Sequence, residues 1–165
     1  MFLKLKLEKY LKENLNIRQS KMAGSARTQE YFETECCYSK TFDINTFIEE
    51  NKEEDTFQTK LFELIDKKEC KDSDVYNKVG IDRRLFSKIR SDKNYHPSKE
   101  TVILLGIALE LKEEEIDDLL SKASYSLPMN NTYDLIIRFC FKEGIYDLNK
   151  INEFLYDHHC NILNG

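Results

Sequence analysis

Apolar residues recur every three or four positions from residue 56 to the end of the chain, and this period predicts a series of amphipathic helices. The predicted helices begin at Thr56, cover residues 72–79 and 82–91, follow Pro97, and then cover residues 113–123, about 131–143 and 148–156. Only 5 Gly and 2 Pro occur among the 165 residues, so few positions break a helix. We therefore predict an all-α fold with about seven helices across residues 56–165 rather than a β fold with many turns.

The first 55 residues carry a weaker pattern. Leucines alternate with lysines at the very start, as in a strand, but Leu7, Tyr10, Leu11 and Leu15 have helical spacing, which predicts a helix of about three turns over residues 2–15. A loop is expected at residues 16–27, short helical pieces near residues 31–32 and 44–48, and an acidic connector at residues 49–55. The chain thus divides into an irregular N-terminal arm, residues 1–55, and a helical domain, residues 56–165. The arm either covers this domain or pairs with a second chain.

Residues 72–91 read as two short helices joined by a tight turn at Gly80. A glycine after an apolar residue supplies the left-handed backbone with which one helix ends and another begins at a steep angle. Asp72 or Ser73 is expected to cap the first helix and Asp82 the second. Their predicted buried residues are Val75, Val79, Ile81, Leu85, Phe86 and Ile89. The outer face of the second helix then carries basic and hydroxyl side chains, namely Arg83, Arg84, Ser87, Lys88 and Ser91.

The apolar sites around Gly80 resemble the helix-turn-helix of lambda-repressor and Cro-like (XRE-type) domains, and the loop and helix that follow Ser91 continue the likeness. One departure is Tyr76, where family members usually have a small residue that lets the two helices touch. Residues 56–165 resemble a divergent bacterial and phage branch that has two additional C-terminal helices. The resemblance implies a sequence-specific transcriptional regulator that places the helix over residues 82–91, the recognition helix, in the major groove of double-stranded DNA.

Such docking would assign a role to each polar residue of the motif. Arg83 and Arg84 are placed to bind guanine edges bidentately or to clamp phosphates, and Ser87 and Lys88 are the next residues to face bases. The expected phosphate contacts are Lys78, Arg90, Ser91, Lys93, Ser98 and Lys99. Because one short helix reads too few base pairs to be selective alone, the protein is expected to act as a homodimer.

The charge of the chain is distributed unevenly. The net charge is −5, but residues 78–99 contain seven basic and two acidic residues, which leaves a net charge of −10 on the remainder. Because an acidic remainder repels a duplex, a second hypothesis stays open. In this hypothesis the scaffold no longer binds DNA and serves as a protein-interaction module. Its contact surface would be Tyr76, Tyr95 and the acidic residues of 110–118. Steep weakening of binding with salt would distinguish DNA binding from this alternative.

Other functional classes find little support in the sequence. The five cysteines are irregularly spaced and no secretory signal precedes them, which predicts a reduced, cytoplasmic protein. The longest apolar run, residues 102–109, is too short to cross a membrane. His158, His159 and Cys160 are adjacent, and adjacent ligands on one short element rarely converge on one zinc ion, even with Cys36 and Cys37. Without a phosphate-binding glycine loop or a nucleophile–base set, we predict no enzyme, no catalytic residue, no cofactor and no metal.

Overall fold

A computed structural model of the protein describes residues 2–21, 44–51, 56–92 and 95–164. These residues form nine helices and no strand, so the prediction of an all-α fold is confirmed. The helices are Phe2–Lys21 (α1), Ile44–Asn51 (α2), Phe57–Lys67 (α3), Asp72–Lys78 (α4), Arg83–Ser91 (α5), Lys99–Ala108 (α6), Glu113–Lys122 (α7), Thr132–Glu143 (α8) and Leu148–Asp157 (α9). None of the described helices combines the length and the apolar character that crossing a membrane requires.

Several helix ends lie where the sequence predicts them, because single side chains cap the free backbone groups. The hydroxyl of Thr56 accepts from the Thr59 N–H at 3.3 Å, and that of Ser98 accepts from the Thr101 N–H at 3.2 Å. Gly144 ends α8 in the left-handed conformation, with a φ of 67°. Seven helices, α3 to α9, therefore follow one another between residues 56 and 164, as the apolar period predicts.

The start of α4 differs from the prediction. Lys71 is the residue before its first turn and makes no capping hydrogen bond with its side chain, so neither Asp72 nor Ser73 is the cap. Asp72 lies instead inside the first turn, where a carboxylate is favoured by the helix dipole. That position leaves the Asp72 carboxylate available for a contact with α5.

The N-terminal arm contains more helix than its sequence pattern predicts. Helix α1 continues to Lys21, so residues 16–21 are helical where the sequence predicted a loop, because the chain has no Gly or Pro before Gly24 and Arg18 and Gln19 favour helix. Leu7 and Leu11 are buried where α1 packs on α8, so this helix covers the C-terminal part of the bundle. Helix α2 confirms the helical piece near residues 44–48. The predictions for residues 22–43 and 52–55 lie outside the described residues.

Helix α6 lies at the centre of the bundle, and residues 101–108 are all buried. It packs against α4 and α7, while α3 packs on α7 from the other direction. The close approach of α6 depends on Gly106, since a Cβ atom there would overlap the Ile116 side chain and lie 3.1 Å from the Phe141 ring. Such a helix, apolar all round, fixes the position of the helices that surround it.

Helix α8 is fixed to α7 by a charged cluster around Arg138. Its guanidinium donates to Glu113 at 2.9 Å and to both oxygens of Asp117 at 2.8 and 2.9 Å. It also donates to the Leu127 carbonyl at 3.1 Å, in the connection before α8. Bidentate arginine–carboxylate pairs are among the stronger polar contacts, so this cluster holds α8 against α7.

Candidate nucleic-acid interface

The turn between α4 and α5 is held by backbone hydrogen bonds. Gly80 has a φ of 72°, the left-handed conformation that the sequence predicts. The Ile81 N–H donates to the Tyr76 carbonyl at 2.9 Å, and the Gly80 N–H donates to the Asn77 carbonyl at 3.4 Å. These two bonds are the pattern of a Schellman helix end. The Asp82 carboxylate then accepts from the Arg84 N–H at 2.5 Å and caps α5, as expected.

One face of α5 is buried. Phe86 and Ile89 are 3% and 0% exposed, whereas Leu85 is half-buried rather than fully buried. Tyr76 fills the space between α4 and α5, and its ring centroid lies 5.6 Å from that of Phe86. The large residue at this position is thus accommodated as an aromatic pair. Gln58 of α3 donates to the Ile89 and Asp92 carbonyls and fixes the end of α5.

The opposite face of α5 is open to solvent. All five residues that the sequence places there are exposed, namely Arg83, Arg84, Ser87, Lys88 and Ser91. Within the described part of the chain, neither Arg83 nor Arg84 forms an ion pair. The ammonium group of Lys88 lies 4.8 Å from the centre of the Tyr95 ring, a cation–π contact with the loop that follows α5.

The exposed side chains of α5 lie along two sides of the helix. Arg84, Ser87, Lys88 and Ser91 have i, i+3, i+4, i+7 spacing, so they form one ridge, here called the outer ridge. A groove of about 310 Å³ runs beside it, between α4 and α5. The groove is lined by Asp72, Ser73 and Tyr76 of α4 and by Arg83, Phe86, Ser87 and Arg90 of α5. Ser87 therefore belongs to both the outer ridge and the groove lining. Arg83 lies on the groove side of α5, and Arg84 lies on the outer ridge.

Three of the residues expected to contact phosphates are paired with carboxylates of the same chain. Lys78 donates to Glu110 at 2.5 Å, Arg90 contacts Asp72 at 2.7 Å, and Lys99 contacts Asp134 at 2.5 Å. The hydrogen bond from Lys78 lowers the pKa of the Glu110 carboxyl below its ordinary value. The guanidinium of Arg90 also lies 4.4 Å from the centre of the Phe62 ring. These ion pairs reduce the number of cations that are available to an external anion.

The remaining phosphate candidates differ in their surroundings. Ser91 is exposed at the end of α5, and Ser98 is exposed but uses its hydroxyl to cap α6. Lys93 lies outside the described residues. The His96 ring, next to Ser98, is 5.2 Å from the Tyr125 ring. Ser91 and Ser98 are thus both exposed, Ser91 at the C-terminal end of α5 and Ser98 at the start of α6.

The carboxylate partners are the residues that the sequence pattern misses. Asp72 lies 18 positions before Arg90, and Asp134 lies 35 positions after Lys99, so no local spacing connects either pair. Only the Asp72–Arg90 pair could have been predicted from the sequence. A reversal of the chain at Gly80 brings the first turn of α4 beside the last turn of α5, where a carboxylate and a cation are both expected from the helix dipoles.

The alternative metal ligands are not brought together. The Nδ1–H of His158 donates to the Phe154 carbonyl, 2.8 Å away, at the end of its own helix. Among the described residues, no group of three or more His, Cys, Asp or Glu side chains is placed to hold a metal ion. Cys36 and Cys37 lie outside those residues.

The comparisons with known proteins add no identification. No family model, no curated protein and no solved structure matches this chain. Its function is therefore inferred from its own residues: an all-α bundle with a short helix, α5, that buries one face and exposes two arginines on the other.

Proposed function

We propose that the protein binds double-stranded DNA through α5 and acts as a sequence-specific transcriptional regulator of the lambda-repressor and Cro-like type. One observation carries the proposal. Arg83 and Arg84 are exposed in the first turn of a helix whose other face is buried, and neither is in an ion pair within the described residues. Unpaired guanidinium groups at the N-terminal end of an exposed helix are suited to guanine edges and phosphates.

The arrangement of the neighbouring helices supports a helix-turn-helix assignment. Helices α4 and α5 meet at a left-handed glycine, and the buried Ile81 follows that glycine directly. Helix α6, capped by Ser98, lies behind them in the core. In this assignment α3 to α7 form the DNA-binding core and α8 and α9 are the additional helices of the divergent branch. Helix α5 enters the major groove, and α4 crosses the backbone beside it.

Selectivity requires two copies of the chain. Helix α5 has nine residues and is about 13 Å long, so in the major groove it would span about four base pairs. Four base pairs recur too often in a genome to define one operator. We therefore propose a homodimer that binds two half-sites about one helical turn apart, in the cytoplasm of a bacterium or of a phage-infected cell.

Selection of bound sequences from random duplex DNA tests the proposal. The enriched duplex is then titrated with protein at several salt concentrations, with fluorescence anisotropy as the readout. Each phosphate that a cation of α5 neutralises contributes about −0.9 to the log–log slope, so Arg83, Arg84 and Lys88 together set an upper limit of about −2.7 per chain. Rearrangement of the ion pairs of Lys78, Arg90 and Lys99 would make the slope steeper.

The decisive variant replaces both exposed arginines, Arg83→Ala with Arg84→Ala. It should abolish selective binding without changing the helix content seen by circular dichroism, because both side chains are exposed. A matched control removes two exposed lysines from other helices, Lys9→Ala with Lys150→Ala, so that the net charge changes equally. Unchanged affinity in the arginine variant, or an equal loss in the control, would contradict the assignment of α5.

The ion pairs favour a second candidate, a protein-interaction module on the same scaffold. Pairing of Lys78, Arg90 and Lys99 with carboxylates leaves few cations for a duplex, and the chain outside residues 78–99 has a net charge of −10. This candidate predicts no enrichment of any duplex in the selection. It also predicts that a captured partner protein stays bound when salt is raised to a concentration that would release DNA.

A further inference from the structure

We infer that the two adjacent arginines of α5 have different partners on DNA: Arg84 reads a guanine, and Arg83 binds a backbone phosphate in the groove between α4 and α5. This inference rests on the proposed DNA binding and deepens it, because it names the residue that sets the base preference. The sequence leaves both arginines open to either role. Their positions in the structure separate them.

The separation follows from helix geometry. Consecutive residues of an α-helix point about 100° apart, so Arg83 and Arg84 lie on different sides of the exposed face of α5. Arg83 lines the groove together with Arg90, and both face Asp72, Ser73 and Tyr76 of α4. Arg84 is not part of the groove lining and belongs to the outer ridge.

The groove has the chemistry of a phosphate site. The Arg90 guanidinium is already held there, 2.7 Å from Asp72 and above the Phe62 ring, so it compensates that carboxylate. Arg83 is the cation of the groove that has no carboxylate partner among the described residues. Its planar guanidinium group can donate two parallel hydrogen bonds to two oxygens of one phosphate. A backbone phosphate that runs beside α5 would therefore meet Arg83 first.

The outer ridge suits a base edge. Arg84 lies in the first turn of α5, where its backbone N–H is fixed by the Asp82 carboxylate at 2.5 Å. The next residues on the ridge towards the C-terminus include Ser87 and Ser91, whose short side chains allow a close approach of the helix to the floor of the groove in DNA. Guanine offers two acceptors there, N7 and O6, which an arginine binds bidentately. The Lys88 ammonium group is held over the Tyr95 ring and is therefore not directed at the base edge that Arg84 would bind.

Base analogues distinguish the two roles. In the enriched duplex each guanine is replaced in turn by 7-deazaguanine, which lacks the N7 acceptor but still pairs with cytosine. Binding by the wild-type chain should fall on the order of 10-fold at one position in each half-site, because a hydrogen bond to a charged group is lost. Arg84→Ala should lose this sensitivity. Arg84→Lys, which keeps the charge and can still donate to guanine, should keep the wild-type salt slope.

Arg83→Ala is the matched variant, with the same change one residue away. It should keep the full sensitivity to 7-deazaguanine, weaken enriched and unrelated duplexes by the same factor, and reduce the salt slope by about 0.9. Melting followed by circular dichroism controls for folding of every variant.

Three results would overturn this inference. They are loss of guanine sensitivity in Arg83→Ala, retention of that sensitivity in Arg84→Ala, and wild-type binding that responds to no guanine. Each of them leaves DNA binding itself in place. Failure of the wild-type chain to bind any duplex would instead overturn the proposed function, and this inference with it.

Discussion

Lys99→Ala should lower the stability of the fold and leave DNA affinity nearly unchanged, although the sequence places Lys99 among the phosphate contacts. The Lys99 ammonium group lies 2.5 Å from the Asp134 carboxylate, and the side chains are 27% and 3% exposed. Without Lys99 the carboxylate remains buried and keeps one side-chain donor, the Asn131 amide at 2.6 Å. An uncompensated buried charge is costly because the protein interior solvates it poorly.

The size of the loss follows from these contacts. Removing one partner of a fully buried ion pair costs about 3–5 kcal/mol. Because Lys99 is about one quarter exposed and Asn131 still donates to Asp134, we expect a loss of about 2–3 kcal/mol. For a chain of this length that corresponds to a fall in Tm of roughly 4–12 °C.

Urea unfolding followed by circular dichroism measures this loss directly. The matched control is Lys150→Ala, which breaks an exposed pair with Asp147 at 4.0 Å and should cost no more than about 0.5 kcal/mol. Adding Asp134→Asn to Lys99→Ala should recover part of the stability, since no charge is then left buried. A Lys99→Ala variant with wild-type stability and a shallower salt slope in DNA binding would refute this reasoning and make Lys99 a phosphate ligand.

Two further changes test the core and the helix starts. A methyl group at Gly106 would overlap Ile116 at a cost of about 1–3 kcal/mol, offset by the roughly 1 kcal/mol by which Ala favours a helix over Gly. Gly106→Ala should therefore lower stability in urea unfolding by up to about 2 kcal/mol, and adding Ile116→Val should recover part of that loss; a Gly106→Ala variant more stable than wild type would contradict the close packing of α6. The Glu115 carboxylate accepts from the Lys112 N–H at 3.1 Å, which lowers its pKa, so it stabilises the fold above about pH 4.3 and this contribution is lost as pH falls through the lower pKa of the folded state. Glu115→Gln should therefore be less stable than wild type at neutral pH, and the difference should shrink as pH falls through the lowered pKa of Glu115; a difference that grows on acidification would contradict the sign.

Local chemistry explains which elements the sequence predicts well. Thr56, Ser98 and Asn131 each cap a helix by a hydrogen bond within three residues, and Gly80 and Gly144 each provide a left-handed residue at a helix end. These interactions depend only on neighbours in the chain, so the residue type alone indicates the structure. The buried and exposed faces of α5 follow in the same way from the apolar period.

Contacts between distant residues account for what the sequence does not predict. Lys78 meets Glu110 and Lys99 meets Asp134 only after the helices have packed, and the pattern of either segment is equally consistent with a free lysine. The length of α1 has a similar cause. Its segment after residue 15 has no marked apolar period, yet the helix continues because the part before it is anchored by Leu7 and Leu11.

The distribution of paired and unpaired cations limits how a duplex could approach. The positive charge of residues 78–99 is partly compensated at Lys78, Arg90 and Lys99, and the cations of this segment that form no ion pair among the described residues are Arg83, Arg84 and Lys88 of α5. The chain outside residues 78–99 has a net charge of −10, which disfavours the approach of phosphates. A protein with this charge distribution would therefore bind DNA through α5 and weakly as a single copy. A dimer doubles that face, and this is why its affinity should depend steeply on both salt and protein concentration.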